Sequence, residues 1–304
     1  MKEALDLIRS GRNGEAVDRI VRGLFARRCS MSRRAWRDYA TKAARQPELL
    51  AFVHRCQMTR RSFEKPRGYA GDAVMLDHIY GTGVGRLAPH PATTDGQVYA
   101  YTVNAPAPAA VRYRREVLAR LVDETVARRG AGNASVVSIA CGHLREAELS
   151  KAMQARQVGR FVAIDQDDES LAVIDTDYAD LGVETRHGSV RNIVTERLKL
   201  PSCDLIYAAG LYDYLDDKVG ARLLQVMVEA LNPGGRVLIA NFVPNITNSG
   251  YMEACMDWWL LYRDLDQLTA LFDAIPEAAR GPIEGFFDPE FNIAFAVMEK
   301  PAAG

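Results

Sequence analysis

The sequence of 304 residues predicts an α/β fold, a doubly wound, Rossmann-like sheet that follows an N-terminal helical cap. From residue 134 onward, short apolar runs alternate with amphipathic stretches, a pattern typical of a parallel sheet flanked by helices. Before residue 130, apolar residues recur at helical spacing. We therefore predict two regions, a helical cap and acceptor-side region over residues 1–130 and a ligand-binding domain over residues 131–304.

The helical cap is predicted from apolar spacing. Residues 1–63 carry apolar side chains at intervals of three and four, as helices do. The segments that follow are predicted as a short helix over 47–60, a turn over 65–72, a helix over 74–80, a loop over 81–109 and a helix over about 108–129. A loop of that length in a compact domain is often a functional lid.

The sheet is predicted from apolar runs bounded by turn residues. The predicted strands are 136–140, 161–164, 184–186, 203–208, 236–240 and 293–298. Four helices are predicted between and after these strands. The first contains Ala147 and Met153, the second contains Leu171 and Ile174, the third covers about 217–231 and the fourth covers 253–274.

Composition excludes several classes of protein. Hydrophobic residues make up 48% of the chain and the net charge is -1, which excludes a disordered chain. No apolar run is long enough to span a membrane, and the charged N-terminus predicts no signal peptide. Five widely spaced cysteines without a CxxC pair, and five scattered histidines, predict neither disulfides nor a metal site. We therefore expect a cytoplasmic protein.

Charge is distributed unevenly along the chain. Residues 1–67 hold 17 Lys or Arg and 7 Asp or Glu, whereas the remainder holds 21 and 32. The favoured interpretation is a basic helical face that pairs with an acidic body or a partner subunit, which allows a homo-oligomer through the N-terminal helices. A nucleic-acid or anionic-lipid surface is the alternative. Because few aromatic residues accompany the basic ones, we expect no nucleic-acid partner and no membrane.

The predicted strand ends carry the residues from which a ligand site is expected, because ligands of doubly wound sheets bind beyond the carboxyl ends of strands. The first strand ends at Cys141-Gly142-His143 and the second at Asp165. His187-Gly188-Ser189-Val190 follows the third, and Ala209-Gly210 follows the fourth. The first turn has one glycine instead of GxGxxG, which disfavours a pyrophosphate and favours a nucleoside ligand without phosphates.

Five segments in this order resemble class I S-adenosylmethionine-dependent methyltransferases over residues 134–300. They are the first glycine loop, Asp165, the HGS segment, CDLIYAAGLYDYL and LNPGGRVLIAN. The resemblance implies a methyltransferase sheet, S-adenosylmethionine as cofactor and no metal. It implies cofactor contacts at Ala140, Gly142 and Glu146, ribose binding by Asp165, adenine contacts at Gly188, Ser189 and Val190, and methionine-side contacts at Ala209, Gly210 and Tyr212. Where members of the family usually have an acidic residue at the start of the first motif, this sequence has Ser138.

A closer resemblance covers more of the chain. PRGYAGD, ACGHLRE, AGLYDYL, ANFVPN and MDWWLLYRD are similar to segments of a bacterial small-molecule subgroup. That subgroup includes 3-hydroxy fatty acid methyl ester biosynthesis proteins and methionine S-methyltransferases. The resemblance implies a small-molecule acceptor.

Acidic and aromatic residues in these segments are the candidates for catalysis and acceptor binding. Asp72 and Asp213 are candidate bases, and a helix cap or an ion pair is the alternative for each. The aromatic rings of these segments could surround a sulfonium, with core packing as the alternative. They are Tyr69, Tyr212, Tyr214, Tyr251, Trp258, Trp259 and Tyr262. Arg263 could clamp an acceptor carboxylate, or pair with Asp257 or Asp264. The catalytic candidates are Tyr69, Asp72, Asp213 and Tyr214, and the acceptor-binding candidates are Asn241, Asn245, Trp258, Tyr262 and Arg263.

We predict methyl transfer from S-adenosylmethionine to a small carboxylate-bearing metabolite. S-methylation of methionine or a related thioether is favoured, because of the aromatic rings and the predicted carboxylate clamp. O-methylation of a hydroxy fatty acid or another small carboxylic acid is the alternative, and RNA methylation is a further one. A domain that binds the donor without catalysis is the non-enzymatic hypothesis.

Overall fold

The computed structural model describes residues 2–302, and its first part is helical. The helices are α1 (Lys2–Arg9), α2 (Asn13–Ser30), α3 (Arg33–Asp38), α4 (Pro47–Val53), α5 (Gln57–Glu64), α6 (Ala73–Tyr80), α7 (Thr94–Val103) and α8 (Pro106–Arg129). The predicted loop over 81–109 is wrong, because α7 and the start of α8 lie within it. Glycine and threonine obscured the helical pattern there, although Thr93 caps α7 by accepting the Gly96 N–H at 3.0 Å.

A seven-stranded sheet forms the second part. The strands are β1 (Ser135–Ile139), β2 (Arg160–Asp165), β3 (Val183–His187), β4 (Cys203–Ala208), β5 (Leu231–Phe242), β6 (Ile283–Phe287) and β7 (Ile293–Glu299). Their order is β3-β2-β1-β4-β5-β7-β6, with β1 to β5 parallel and β7 antiparallel to both of its neighbours. The predicted α/β sheet is confirmed, and it is mixed. The strand β6 was not predicted, because this edge strand is largely exposed and has no buried apolar run.

The remaining helices lie after β1 in the chain. They are α9 (Lys151–Gln154), α10 (Asp168–Asp177), α11 (Val190–Val194), α12 (Asp217–Ala230), α13 (Ser249–Cys255) and α14 (Leu265–Thr269). The predicted helix over 253–274 is wrong. Asp257 has a left-handed backbone (φ 48), which stops one helix, and the Asp264 side chain caps the next.

The chain forms two compact units. The helical unit contains the residues up to Arg112 together with Asn245–Trp259, and the sheet unit contains Tyr113–Pro244 and the chain from Leu260 onward. This division differs from the predicted boundary at residue 130. Most of α8 belongs with the sheet, because Arg236 of β5 donates to Glu124 at 2.9 Å and to Thr125 at 3.2 Å.

The helical unit is closed by α13, which comes from late in the sequence. A Cβ atom at Gly250 would lie 2.7 Å from the Leu24 carbonyl carbon, so α13 contacts the α2 backbone directly. Glu253 accepts hydrogen bonds from the Trp36 indole and from Arg28, the latter at 3.0 Å. The excursion over Asn245–Trp259 is therefore an integral part of this unit.

The core of the sheet unit is apolar on the buried faces of its strands. Leu223, Leu224 and Met227 of α12 pack with the side chains of the central strands. Such packing fixes where each strand ends, and so positions the loops that follow. Over residues 2–302, no helix is both long and apolar enough to cross a membrane.

Candidate functional site

The sheet places four predicted loops at one edge. The chain order reverses between β1 and β4, which are neighbours, and this reversal is the switch point of the fold. The loops that follow β1, β2, β3 and β4 all leave the sheet at its carboxyl edge, because these strands are parallel. The candidate site is built from them.

The loop after β1 has an unusual backbone. Ala140, Gly142 and Leu144 all have left-handed conformations, with φ of 53, 54 and 50. For residues other than glycine this conformation is strained, and such strain is concentrated at functional sites. The loop is held by Asp165, whose Oδ2 accepts the Gly142 N–H at 2.8 Å.

Asp165 lies at the end of β2 and joins two loops. Its Oδ1 accepts the Asp167 N–H at 3.0 Å, while Oδ2 accepts the N–H of Gly142. Burial raises the pKa of Asp165, and these backbone donors oppose that rise. The carboxylate therefore orders the two loops and retains lone pairs for a further donor.

Glu146 lies buried in the same part of the site. Its Oε1 accepts the Tyr207 hydroxyl of β4 at 2.6 Å. Burial raises the pKa of Glu146, and the Tyr207 hydrogen bond opposes this. Cys141 remains a neutral thiol, because burial raises its pKa well above the usual value.

The segment after β3 has clear structural roles. The Ser189 hydroxyl caps α11, and Asn192 completes a capping box. A Cβ at Gly188 would lie 2.3 Å from Leu198 Cδ2, so a larger residue there would require the Leu198 side chain to move. His187 Nδ1 lies 2.7 Å from Asp168 Oδ1. Val190, the first residue of α11, is partly buried, and the adenine contacts of this segment stay a prediction.

In the loop after β4, the predicted cofactor-binding residues have different surroundings. The Ala209 carbonyl accepts a hydrogen bond from Arg114 Nη1 at 3.1 Å, and Gly210 faces the same guanidinium. Tyr212 is fully buried and its hydroxyl donates to the Gly220 carbonyl at 3.1 Å. The Tyr212 side chain is therefore part of the core, and the prediction that it contacts the cofactor is not supported. Tyr214 is 40% exposed.

Asp213 is a buried carboxylate between β4 and β5. Its Oδ1 accepts the Asn241 side-chain amide at 2.9 Å and the Phe242 N–H at 2.8 Å. Burial raises the pKa of Asp213 to about 6, although nearby Arg114 and Arg263 oppose the rise. A carboxylate that titrates near neutral pH is suited to accept a proton.

Arg263 is a structural arginine. Its five N–H donors reach internal acceptors, which are the Asp217 carboxylate, the Asn241 side-chain oxygen and the carbonyls of Tyr212 and Leu215. It is 5% exposed, so the predicted alternative of a surface pair with Asp257 or Asp264 is wrong. The predicted carboxylate clamp is also poorly supported, because clamping would break these bonds. Asn241 is likewise engaged, since its amide also donates to the Leu261 carbonyl at 2.8 Å.

The candidates of the helical unit are mostly committed to its structure. Asp72 is 1% exposed, caps α6 through the Met75 N–H at 2.7 Å, and pairs with Arg61 at 2.8 Å. Its alternatives, a helix cap and an ion pair, are therefore both present. Asn245 is exposed and left-handed (φ 65), as a turn residue is. Trp258 is buried.

The other predicted rings differ in their surroundings. The Tyr251 hydroxyl lies 3.0 Å from Thr59 Oγ1 in the core of the helical unit. The guanidinium of Arg37 lies 5.1 Å from the Trp259 ring centroid. Tyr69 and Tyr262 are partly buried, in the helical and sheet units respectively. Tyr251, Trp259 and Tyr212 thus have structural partners.

Arg114 is a buried residue of this region that was not among the predicted site residues. This residue lies on the apolar stripe of α8, where Ala110, Val117 and Leu121 are all buried. A cation at a stripe position is the signal that could have identified it, because buried arginines are rare without a partner.

Two solved structures share the fold. A possible exported protein from Bordetella parapertussis is 18% identical, with a TM-score of 0.57 over 83% of this chain and 96% of that chain. The carbon methyltransferase CurJ is 10% identical, with a TM-score of 0.53 over 81% of this chain and 69% of that chain. The chain therefore shares the fold of this carbon methyltransferase. The sequence matches no protein-family model and no curated protein.

No group of three or more His, Cys, Asp or Glu side chains that could hold a metal ion occurs in the part of the chain that the structure describes.

Proposed function

We propose that the protein transfers a methyl group from S-adenosylmethionine to a small carboxylate-bearing acceptor. The observation that carries this proposal is the hydrogen bond from the Gly142 N–H to Asp165 at the switch point of a methyltransferase fold. It joins the glycine loop after β1 to the acid that ends β2, which are the two features expected to hold a nucleoside. S-adenosylmethionine supplies a methyl group already activated on a sulfonium.

The residues at this edge suit a nucleoside without phosphates. Asp165 is proposed to accept the ribose hydroxyls, because its two oxygens are held by backbone N–H groups and keep free lone pairs. The left-handed loop lets the backbone approach the ligand closely. The proposed cofactor contacts are Ala140, Gly142 and Glu146 on the first loops, Gly188, Ser189 and Val190 after β3, and Ala209 and Gly210 after β4.

Asp213 favours an acceptor that loses a proton. A thioether needs no base, whereas a hydroxyl does. In the proposed step the acceptor hydroxyl oxygen bonds to the methyl carbon, the sulfur–methyl bond breaks, and the hydroxyl proton passes to the Asp213 carboxylate. Three rings expected to surround a sulfonium have structural partners instead. O-methylation of a hydroxy acid is therefore better supported than the S-methylation of methionine favoured from the sequence, which remains the second candidate.

Donor binding tests the first part of the proposal. Calorimetry should detect binding of S-adenosylhomocysteine, and Asp165→Ala should weaken it by about 10-fold or more, because charge-assisted hydrogen bonds are lost. Asp180→Asn is the matched control, since the Asp180 side chain is 90% exposed. No binding to the unaltered protein would contradict the proposal.

Product identification tests the second part. The protein is incubated with isotope-labelled donor and a metabolite extract, and mass spectrometry identifies which compound gains a methyl group. A methyl ether or ester supports O-methylation, whereas a permanent sulfonium cation supports the thioether acceptor. Labelled RNA would support the RNA alternative, and donor binding without any product would support a non-catalytic domain.

A further inference from the structure

Four arginine side chains are buried in the described part of the chain, and Arg114 differs from the others. Arg115, Arg145 and Arg263 each have a carboxylate within 2.6 to 2.7 Å. Arg114 is 6% exposed and makes no ion pair within residues 2–302. Among those residues its one hydrogen bond runs from Nη1 to the Ala209 carbonyl, at 3.1 Å. Burial of a charge without a contacting partner costs free energy. This cost points to a counter-ion that a bound ligand would supply.

Gly210 lies directly beside this guanidinium and places no side chain against it. A Cβ at position 210 would lie 3.4 Å from Arg114 Nη2 and 3.8 Å from Cζ. The backbone of Gly210 is not left-handed, so its conformation does not require glycine. The missing side chain therefore leaves space beside the guanidinium, at the carboxyl end of β4.

The surroundings favour a small anion with two oxygens. The guanidinium retains N–H donors on Nε and Nη2, which match the fork geometry of a carboxylate. Burial raises the pKa of both Glu146 and Asp213, and the charge of Arg114 acts against that rise in each case. Arg114 thus lies within electrostatic range of two acids without contacting either one.

We propose that Arg114, with the space above Gly210, is the carboxylate-binding site of the protein. This inference rests on the proposed function, which supplies two carboxylates. One is the amino-acid carboxylate of the methyl donor, and the other is that of the acceptor. Arg114 thereby takes the role that the sequence suggested for Arg263, whose donors are already occupied.

Calorimetry with matched variants tests this site. Arg114→Gln removes the charge, and Gly210→Ala fills the space while the charge remains. Arg120→Gln is the control, because Arg120 lies on the same helix and its side chain is 56% exposed. The probes are S-adenosylhomocysteine, its decarboxylated analogue, and, with S-adenosylhomocysteine saturating, 3-hydroxydecanoate and L-methionine.

If Arg114 binds the donor carboxylate, Arg114→Gln and Gly210→Ala weaken the binding of S-adenosylhomocysteine by about 10- to 100-fold. The binding of the decarboxylated analogue is then unchanged. If it binds the acceptor carboxylate, S-adenosylhomocysteine is unchanged and binding of an acceptor probe is weakened to the same degree. Unchanged binding of every probe that the unaltered protein binds overturns the inference, and it does so without affecting the proposed function. Failure of the unaltered protein to bind S-adenosylhomocysteine contradicts the proposed function itself.

Thermal unfolding accompanies each titration, so that a folding defect is recognised. Where Arg114→Gln does not fold, Arg114→Lys replaces it, because lysine keeps the charge but lacks the planar fork. The lysine variant is expected to weaken the affected probe by several-fold. A lysine variant that binds every probe as the unaltered protein does also overturns the inference.

Discussion

The loop after β1 has left-handed backbone conformations, which are typical of glycine, at residues that are not all glycine. Ala140 and Leu144 are left-handed, as is Gly142 between them. A left-handed conformation costs about 1–2 kcal/mol for a residue with a Cβ atom. The strain is maintained by the hydrogen bonds of Asp165 to this loop and to the next.

Ala140→Gly is expected to leave stability unchanged or to raise it by up to about 1 kcal/mol, because glycine removes the strain at a cost in chain entropy. Ala172 is the matched control, since it is exposed within α10. Ala172→Gly should cost about 1 kcal/mol. Chemical denaturation measures both variants, and equal destabilisation by the two would contradict the strain at Ala140.

Asp213 predicts a pH dependence of stability. Its folded pKa of about 6 lies above the unfolded value, so its contribution is fully present below about pH 4 and lost as pH rises through 6. Asp213→Asn removes this titration. The free energy of unfolding of the variant, relative to the unaltered protein, should therefore rise by about 3 kcal/mol between pH 4 and pH 8. A constant difference across that range would show an unshifted carboxyl.

The same carboxylate predicts a pH dependence of activity. If Asp213 accepts the acceptor proton, kcat/KM should rise with pH through about 6 and then level off. Asp213→Asn should lower kcat by about 100-fold or more. A flat profile between pH 5 and pH 8 with full activity of the variant would favour a thioether acceptor.

Among the elements, α13 depends most directly on one residue. Gly250→Ala places a methyl group less than 3 Å from the Leu24 and Phe25 backbone, which cannot move without shifting α2. We expect a loss of about 1–3 kcal/mol. Gly23 is the matched control, because a Cβ there meets nothing within 4 Å, and Gly23→Ala should stabilise α2 by up to about 1 kcal/mol. Thermal unfolding compares the two, and a harmless Gly250→Ala would contradict the close contact.

Elements with a strong local pattern could be predicted from the sequence. The buried strands β1, β2 and β4 were found to within a residue or two, because both faces are apolar. The exposed edge strand β6 has no such pattern. The prediction of a helix over 253–274 was wrong for a different reason. The apolar residues that follow Cys255 are buried by tertiary contacts, although the backbone there is irregular.

The candidate site was predictable where it depends on strand ends. Gly142 and Asp165 could be placed because parallel strands end at one edge. The partners of long side chains could not be placed, because they depend on tertiary distance. Arg263 and Arg114 are two contrasting examples. The N–H donors of Arg263 are occupied by internal acceptors, including two backbone carbonyls, whereas Arg114 donates to one carbonyl.

At the scale of the molecule, many basic residues of the helical unit pair with carboxylates of the same unit. At least ten of the 17 basic residues before position 68 have a carboxylate within 4 Å, and all of these partners lie in the same unit. The pairs include Arg28–Glu253 at 3.0 Å and Arg45–Asp257 at 2.6 Å, both from distant parts of the sequence. Other pairs, such as Arg9–Glu48, are exposed and contribute little stability, but they occupy cations that could otherwise bind phosphates.

This pairing predicts weak binding to RNA. A fluorescently labelled 20-nucleotide single strand should show little binding to the protein at 50 mM salt, because most of the cations are engaged. Arg33→Gln with Arg34→Gln serves as the sensitive variant, since both residues are exposed and make no ion pair within residues 2–302. Tight binding that falls steeply between 50 and 500 mM salt and is lost in the double variant would support the RNA alternative.

The helical unit is encoded in two separate stretches, before position 113 and over Asn245–Trp259. A single genetic crossover therefore cannot transfer this unit by itself to another gene. Exchange of the first stretch alone would unite an α2 and an α13 of different origin, and Gly250 would then meet a backbone to which it is not fitted. Substitutions in α2 and α13 must therefore stay compatible across both stretches.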